Sequence, residues 1–169
     1  MARTAEKLDK VAPQQAQPQV DTLGTIKKQK GKSDFKPMET LDIVKHAYIQ
    51  EAGSEQGYDE FLKKLATLLQ NPNVRLVRFL NTLFLTMKMS DEVAEVKILT
   101  ADQPDHIALT VQDMAKVLQK NGFKKAVSAS NLPVFVDIAK KTGLPVKISQ
   151  GQTVMGNQAV PSYIFELDL

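Results

Sequence analysis

The stretch that decides the fold is VAEVKIL at residues 93–99, where apolar and polar side chains alternate. Alternation of this kind is typical of a strand with one buried face. Two more apolar runs precede it, at 74–80 and 83–89, and turn-forming residues lie near Asn81 and Asp91. The sequence therefore predicts three consecutive strands joined by short turns, which is a meander.

A helix over residues 72–87 is the competing interpretation of the middle of this stretch. Apolar residues such as Leu76 and Leu83 also recur there at helical spacing. The β-branched residues Thr82 and Thr86 suit a sheet better than a helix. We therefore expect strands.

Helices are predicted on both sides of the meander. The two before it run from Thr40 to a stop at Gly53, and over an apolar stripe at 58–69. Of the two after it, one ends at Asn121-Gly122, and the other covers 131–141 with Ser130 or Asn131 as its cap. Further short strands are predicted at 123–128, 146–148 and 163–169. This succession indicates a single α/β domain over 39–169, with a mixed, mostly antiparallel sheet flanked by about four helices.

The composition is that of a globular protein, with 43% hydrophobic and 24% charged residues among 169. The absence of cysteine excludes disulfides, thiolate zinc sites and cysteine nucleophiles. No apolar run reaches the roughly 20 residues of a membrane helix, and the first residues lack the apolar stretch of a signal peptide. We therefore expect a protein that neither spans a membrane nor carries a secretion signal.

Residues 1–38 form a segment of different character, rich in Gln, Pro and Ala and without an apolar period. They hold eight Lys or Arg against four acidic residues, whereas 39–169 hold fourteen against fifteen. Such a composition predicts a flexible basic arm. Its lysines are candidates for contact with nucleic acid or an acidic partner, the alternative being a solvated linker; they are Lys27, Lys28, Lys30, Lys32 and Lys36.

The order of elements over residues 40–169 resembles the GNAT superfamily of N-acetyltransferases. Residues 93–99 resemble the family's central strand, and Met114 to Phe123 resemble its next helix. Ser130-Asn131 followed by residues 138–144 resembles its N…Y-x-K-x-G-F segment, and 163–167 its last strand. The resemblance implies the family's α/β fold and, where its site is intact, acyl transfer from acyl-coenzyme A.

The sequence departs from that family at the cofactor site. The family holds the coenzyme A pyrophosphate with an R/Q-x-x-G-x-G/A loop, whereas residues 102–110 here contain neither glycine nor arginine. We expect Asp102 and Asp105 to repel a pyrophosphate. The family's proton-donating tyrosine corresponds to Ala139, which has no proton to give. The sequence therefore predicts no catalytic residue, no cofactor and no metal site.

Two exposed apolar residues, Val154 and Met155, lie at the tip of a polar excursion over 150–161 and predict a contact surface. The leading hypothesis is a non-catalytic structural or assembly protein of a multi-chain particle, for example a tailed-phage virion, located in the virion or the host cytoplasm. It would bind other chains, as a homo- or hetero-oligomer, through the arm and this tip. One alternative is an acyl-CoA-dependent N-acyltransferase with an atypical cofactor loop. The other is a nucleic-acid-binding accessory protein that uses the lysine-rich arm.

Overall fold

The structure is a computed structural model that describes residues 35–155 and 157–169. Its helices in that part of the chain are α1 (Thr40–Ala52), α2 (Tyr58–Leu68), α3 (Pro104–Lys120) and α4 (Val134–Lys141). Its strands are β1 (Val74–Phe79), β2 (Thr82–Lys88), β3 (Val93–Thr100), β4 (Lys125–Ser130), β5 (Val146–Met155) and β6 (Gln158–Asp168). The six strands form one mixed sheet in the order β1-β2-β3-β4-β6-β5. Over these same residues, no helix is both long and apolar enough to cross a membrane.

The chain divides into two compact units. The first comprises the described residues as far as Thr86, together with Ile98–Asp102. The second comprises Met87–Lys97 and the described residues from Gln103 to Leu169.

The first unit has an aliphatic and aromatic core that α1, α2, β1 and β2 supply. α1 ends at Gly53, whose φ of 80° places it in the left-handed region where glycine has no Cβ penalty. The rings of Phe79 and Phe84 meet edge to face, with centroids 6.0 Å apart. Tyr48 of α1 contacts Phe61 of α2, with ring centroids 5.0 Å apart. The other large core residues of this unit include Ile43, Val44, Leu62, Leu65, Leu76 and Leu83.

A polar network fastens the β1–β2 turn to the segment before α1. The turn is Leu80-Asn81, and Leu80 is the only non-glycine residue with positive φ in the described chain, at 56°. The buried Asn81 side chain accepts a hydrogen bond from the backbone N–H of Met38 at 2.9 Å and donates one to the carbonyl of Lys36 at 2.8 Å. The Arg78 guanidinium donates to the Met38 carbonyl at 2.6 Å. Burial lowers the pKa of Arg78.

The second unit is built on β4, β6 and β5. β4 and β6 are antiparallel over six residue pairs, from Lys125↔Asp168 to Ser130↔Tyr163. β5 and β6 form an antiparallel hairpin of ten pairs. α3 packs against α4 through Ile107, Ala108 and Ile138, which are buried together. Gln112 of α3 also donates to the carbonyl of Thr142 at 2.7 Å, which ties α3 to the end of α4.

The predicted fold class is confirmed, and so is the meander, because residues 74–100 form β1, β2 and β3 rather than a helix. Three boundaries differ from the prediction. α3 begins at Pro104, well before Met114, the first residue of the segment that resembles the family's helix. α4 begins at Val134 rather than 131, because Ser130 Oγ accepts the N–H of Leu132 at 3.1 Å in a turn that precedes the helix. Residues 150–155 and 158–161 of the polar excursion are strand, since β5 and β6 pair up to Met155↔Gln158.

Candidate functional site

The candidate site lies in the second unit and draws on two of its features, the end of β4 and the start of α3. β3 and β4 are parallel neighbours, and their register comprises three pairs, Val93↔Lys125, Ala94↔Ala126 and Glu95↔Val127. β4 continues to Ser130, and these last residues are paired with β6 on its other side. Because ligands of open α/β sheets bind outside the carboxyl ends of parallel strands, the end of β4 is a candidate position for a ligand site.

Asn131 immediately follows β4 and carries an unsatisfied acceptor. Its Oδ1 atom is buried, and no donor in the described chain lies within hydrogen-bond distance of it. Most buried polar side-chain atoms in native proteins have a partner, and leaving one without costs about 1–3 kcal/mol. Neither Ser130 nor Asn131 caps α4, whose N-cap residue is Pro133; Ser130 Oγ instead accepts the N–H of Leu132 in the turn before the helix. The Asn131 oxygen is therefore a buried acceptor that the described chain leaves without a donor.

The amino terminus of α3 supplies a second polar feature of the same unit. Gln103 is the N-cap residue, its side chain makes no cap hydrogen bond, and Pro104 occupies the first turn. The first N–H groups of any α-helix lack intrahelical partners, and the helix dipole makes this end electropositive. Proline contributes no N–H, so this terminus has one donor fewer than a proline-free helix. An anionic group is still stabilised there.

Asp105, in the first turn of α3, forms an ion pair with a lysine of α4. Its Oδ1 lies 2.8 Å from Nζ of Lys141 at the end of α4. The structure thus makes Lys141 the counter-ion of an acid that was expected to repel a ligand. Ile107 and Ile138 form a buried contact between the same two helices, whereas the ion pair itself is largely exposed.

Asp102 belongs to the first unit, where its carboxylate accepts hydrogen bonds from the chain. Its Oδ2 accepts the backbone N–H of Asn81 at 2.9 Å and the hydroxyl of Thr82 at 2.8 Å. Its own N–H donates to Thr100 Oγ1 at 3.0 Å. The carboxylate thus completes the β1–β2 turn. Residues 35–155 and 157–169 contain no group of three or more His, Cys, Asp or Glu that could hold a metal ion.

Tyr163 is a functional candidate that the sequence did not single out. It lies on β6 directly opposite Ser130, the last residue of β4, and opposite residues of an antiparallel pair project on the same face of the sheet. Ala139, at the position of the family's tyrosine, lies on α4 and is partly buried. The strand register that places Tyr163 at the end of β4 is not visible in the sequence, because the predicted strand gave no pairing partner.

The structure describes only three of the predicted partner-binding residues, which are Lys36, Val154 and Met155. Lys27, Lys28, Lys30 and Lys32 lie outside the described residues, as does most of the predicted arm. Lys36 is exposed, and its carbonyl accepts from Asn81. Val154, opposite Ala159 in the hairpin, is 76% exposed, and Met155 is half-buried opposite Gln158.

Solved structures with a similar fold include acetyltransferases from three bacteria. A putative acetyltransferase from Acinetobacter baylyi ADP1 matches with a TM-score of 0.54 and 12% identity, over 78% of this chain and 86% of its own. A probable acetyltransferase of the GNAT family from Chromobacterium violaceum gives 0.51 and 11%, over 81% and 89%. A spermidine N-acetyltransferase from Vibrio cholerae gives 0.50 and 10%, over 79% and 93%. No protein-family model matches the chain, and no curated protein does either.

The resemblance inferred from the sequence is confirmed at the level of the fold, which is the mixed α/β fold of the GNAT acetyltransferases. The prediction of a non-catalytic structural or assembly protein is wrong. So are the expectations that the chain is no enzyme and belongs to a virion or phage particle, because the proteins named above that share its fold are acetyltransferases. The physical error concerns residues 102–110. Their two carboxylates were expected to repel a pyrophosphate, but α3 already begins at Pro104 and both carboxylates have protein partners.

Proposed function

We propose that this chain is an acyl-CoA-dependent N-acyltransferase whose ligand site is formed by the end of β4 and the start of α3. The observation that carries the proposal is the buried, unpartnered Asn131 Oδ1 at the carboxyl end of a parallel strand pair. A fold shared with acetyltransferases supports it. When bound, acyl-CoA would supply the acyl group as a thioester, which an amine attacks with release of the thiol.

The residues of the second unit fit such a ligand in part. The Asn131 oxygen would accept an amide N–H or a hydroxyl, both of which the pantetheine chain of coenzyme A carries. The electropositive start of α3 would stabilise the negative phosphates. The absence of glycine and of an N–H at Pro104 means that fewer backbone donors serve this purpose, so we expect weaker binding than a glycine-rich loop would give.

Tyr163 is the residue we assign to proton donation in this proposal. Ala139 has no ionisable group, whereas the register places the phenol-bearing Tyr163 beside Ser130 at the end of β4. A phenol that gives its proton to the departing thiol sulfur would do the work expected of a general acid. Replacing Tyr163 by Phe tests this role, because it keeps the ring and removes the proton. Turnover should fall while acetyl-CoA affinity stays unchanged.

Calorimetric titration with acetyl-CoA is the direct test of the proposal. We expect saturable binding by the unaltered chain. For Asn131→Ala we expect affinity about tenfold lower, which corresponds to one lost hydrogen bond. The free protein should nevertheless be at least as stable, because the substitution removes an unsatisfied buried acceptor. Asn157→Ala, at an exposed position, is the matched control and should change neither property.

Activity can be followed by release of free thiol from acetyl-CoA in the presence of amine acceptors. The chain contains no cysteine and so adds no thiol background of its own. An absence of acetyl-CoA binding at millimolar concentration would overturn the proposal. So would an Asn131→Ala variant that loses stability but binds acetyl-CoA as before, because the residue would then be structural.

A further inference from the structure

The outer edge of β5 presents a long strand to solvent. β5 is the last strand of the sheet, and no strand of the described chain pairs with the edge that faces away from β6. It is ten residues long, and six of its residues are exposed. Proteins usually protect such edges with charges, prolines or short length. β5 contains no proline, and its single charged residue is Lys147 at one end.

Two apolar side chains lie exposed on one face of this strand. They are Ile148, which is 36% exposed, and Val154, which is 76% exposed. They are six residues apart, so they project on the same face. Gly151 lies midway between them. A strand that pairs with a copy of itself about a two-fold axis at Gly151 would therefore place Ile148 of each copy opposite Val154 of the other.

That register suits the rest of the strand as well. It places Ser149 opposite Thr153 and Gln150 opposite Gln152, so that polar residues face polar ones. Each Lys147 lies opposite Met155 of the other copy, and like charges do not meet. Moving the axis to Gln150 places Ile148 opposite the amide of Gln152, and moving it to Gln152 places Val154 opposite the amide of Gln150.

We propose that β5 pairs antiparallel with β5 of a second copy of this chain, about a two-fold axis at Gly151. The sheet of the second unit then continues from one copy into the other in the order β4-β6-β5-β5-β6-β4. The backbone groups of the outer edge gain hydrogen-bond partners, and the two exposed apolar residues are covered. This assignment is independent of the proposed acyltransferase activity, because none of its residues belongs to the candidate site.

Sedimentation equilibrium of the full chain with two charged double variants tests the register. The unaltered chain should be a dimer of about twice 18.7 kDa. Ile148→Lys with Val154→Lys places like charges opposite each other twice and should weaken dimerisation by about tenfold or more. Ile148→Lys with Val154→Glu places opposite charges there and should retain the dimer. Both variants change the same exposed positions, so they are matched in everything except the sign of one charge.

A mixing experiment completes the test. Ile148→Lys with Val154→Lys and Ile148→Glu with Val154→Glu should each be monomeric alone and should form mixed dimers when combined. Circular dichroism checks that every variant is folded. A monomeric unaltered chain would overturn the proposal. So would a dimer that both charged double variants leave equally intact or disrupt equally, because its contact would then lie elsewhere or in another register.

Discussion

The carboxylate of Asp102 either only repels a ligand or stabilises the fold, and replacing Asp102 distinguishes these two roles. If its carboxylate served only to repel a ligand, removing it would leave the fold unaffected. In the structure Oδ2 accepts hydrogen bonds from Asn81 N at 2.9 Å and Thr82 Oγ1 at 2.8 Å. Hydrogen bonds to a charged group contribute about 1.5–3 kcal/mol each. We therefore expect Asp102→Ala to lower the free energy of unfolding by about 3 kcal/mol or more.

Thermal and urea unfolding measure this loss. At about 2–4 °C per kcal/mol for a chain of this size, the melting temperature should fall by about 10 °C. Asp105→Ala is the matched control, because the ion pair of Asp105 with Lys141 is largely exposed and such pairs contribute about 0–1 kcal/mol. Asp102→Asn keeps an acceptor without the charge, so its loss of stability should lie between those of Asp102→Ala and Asp105→Ala. Equal, small effects of Asp102→Ala and Asp105→Ala would refute the reasoning.

Further predictions concern Tyr58 and the β5–β6 hairpin. Burial first, then the nearby charges of Asp42 and Asp59, raise the pKa of Tyr58. Its contribution to stability is therefore complete below the ordinary tyrosine pKa and is lost as pH rises through the higher folded pKa. Tyr58→Phe should remove this loss, so that the free energy of unfolding in urea changes less with pH over that range. At Gly151 an added Cβ would lie 2.9 Å from Cγ1 of Ile164. Gly151→Ala should thus lower the free energy of unfolding by about 1–3 kcal/mol. In a double-mutant cycle, the variant that combines Gly151→Ala with Ile164→Ala should lose less stability than the two single variants together.

Much of the fold could be predicted from local signals. Alternation over 93–99 and the turn residues near Asn81 indicate the meander, and Gly53 marks the end of α1 correctly because its φ is positive. The start of α3 was missed although Pro104 followed by Asp105 is a recognisable helix start.

The candidate site was harder to predict because its chemistry depends on pairing between distant segments. No local pattern shows that Asp102 accepts the N–H of Asn81, twenty-one residues earlier, or that Lys141 reaches Asp105. These partners decide whether a carboxylate repels a ligand. Asn131 looked like a helix cap because helix caps are commonly Asn, and only packing reveals that its oxygen has no partner in the described chain.

The unequal attachment of β4 has a consequence for how the second unit folds. β4 is joined to β3 by three residue pairs across a helical crossover and to β6 by six. β6 in turn belongs to a hairpin whose contacts are local in sequence, and such hairpins form within microseconds. We therefore expect the β5–β6 hairpin to be the template onto which β4 assembles, with the parallel contact to β3 closing last. Substitutions that weaken β6 should accordingly lower the folding rate of this chain. Substitutions at the β3–β4 contact should mainly raise its unfolding rate.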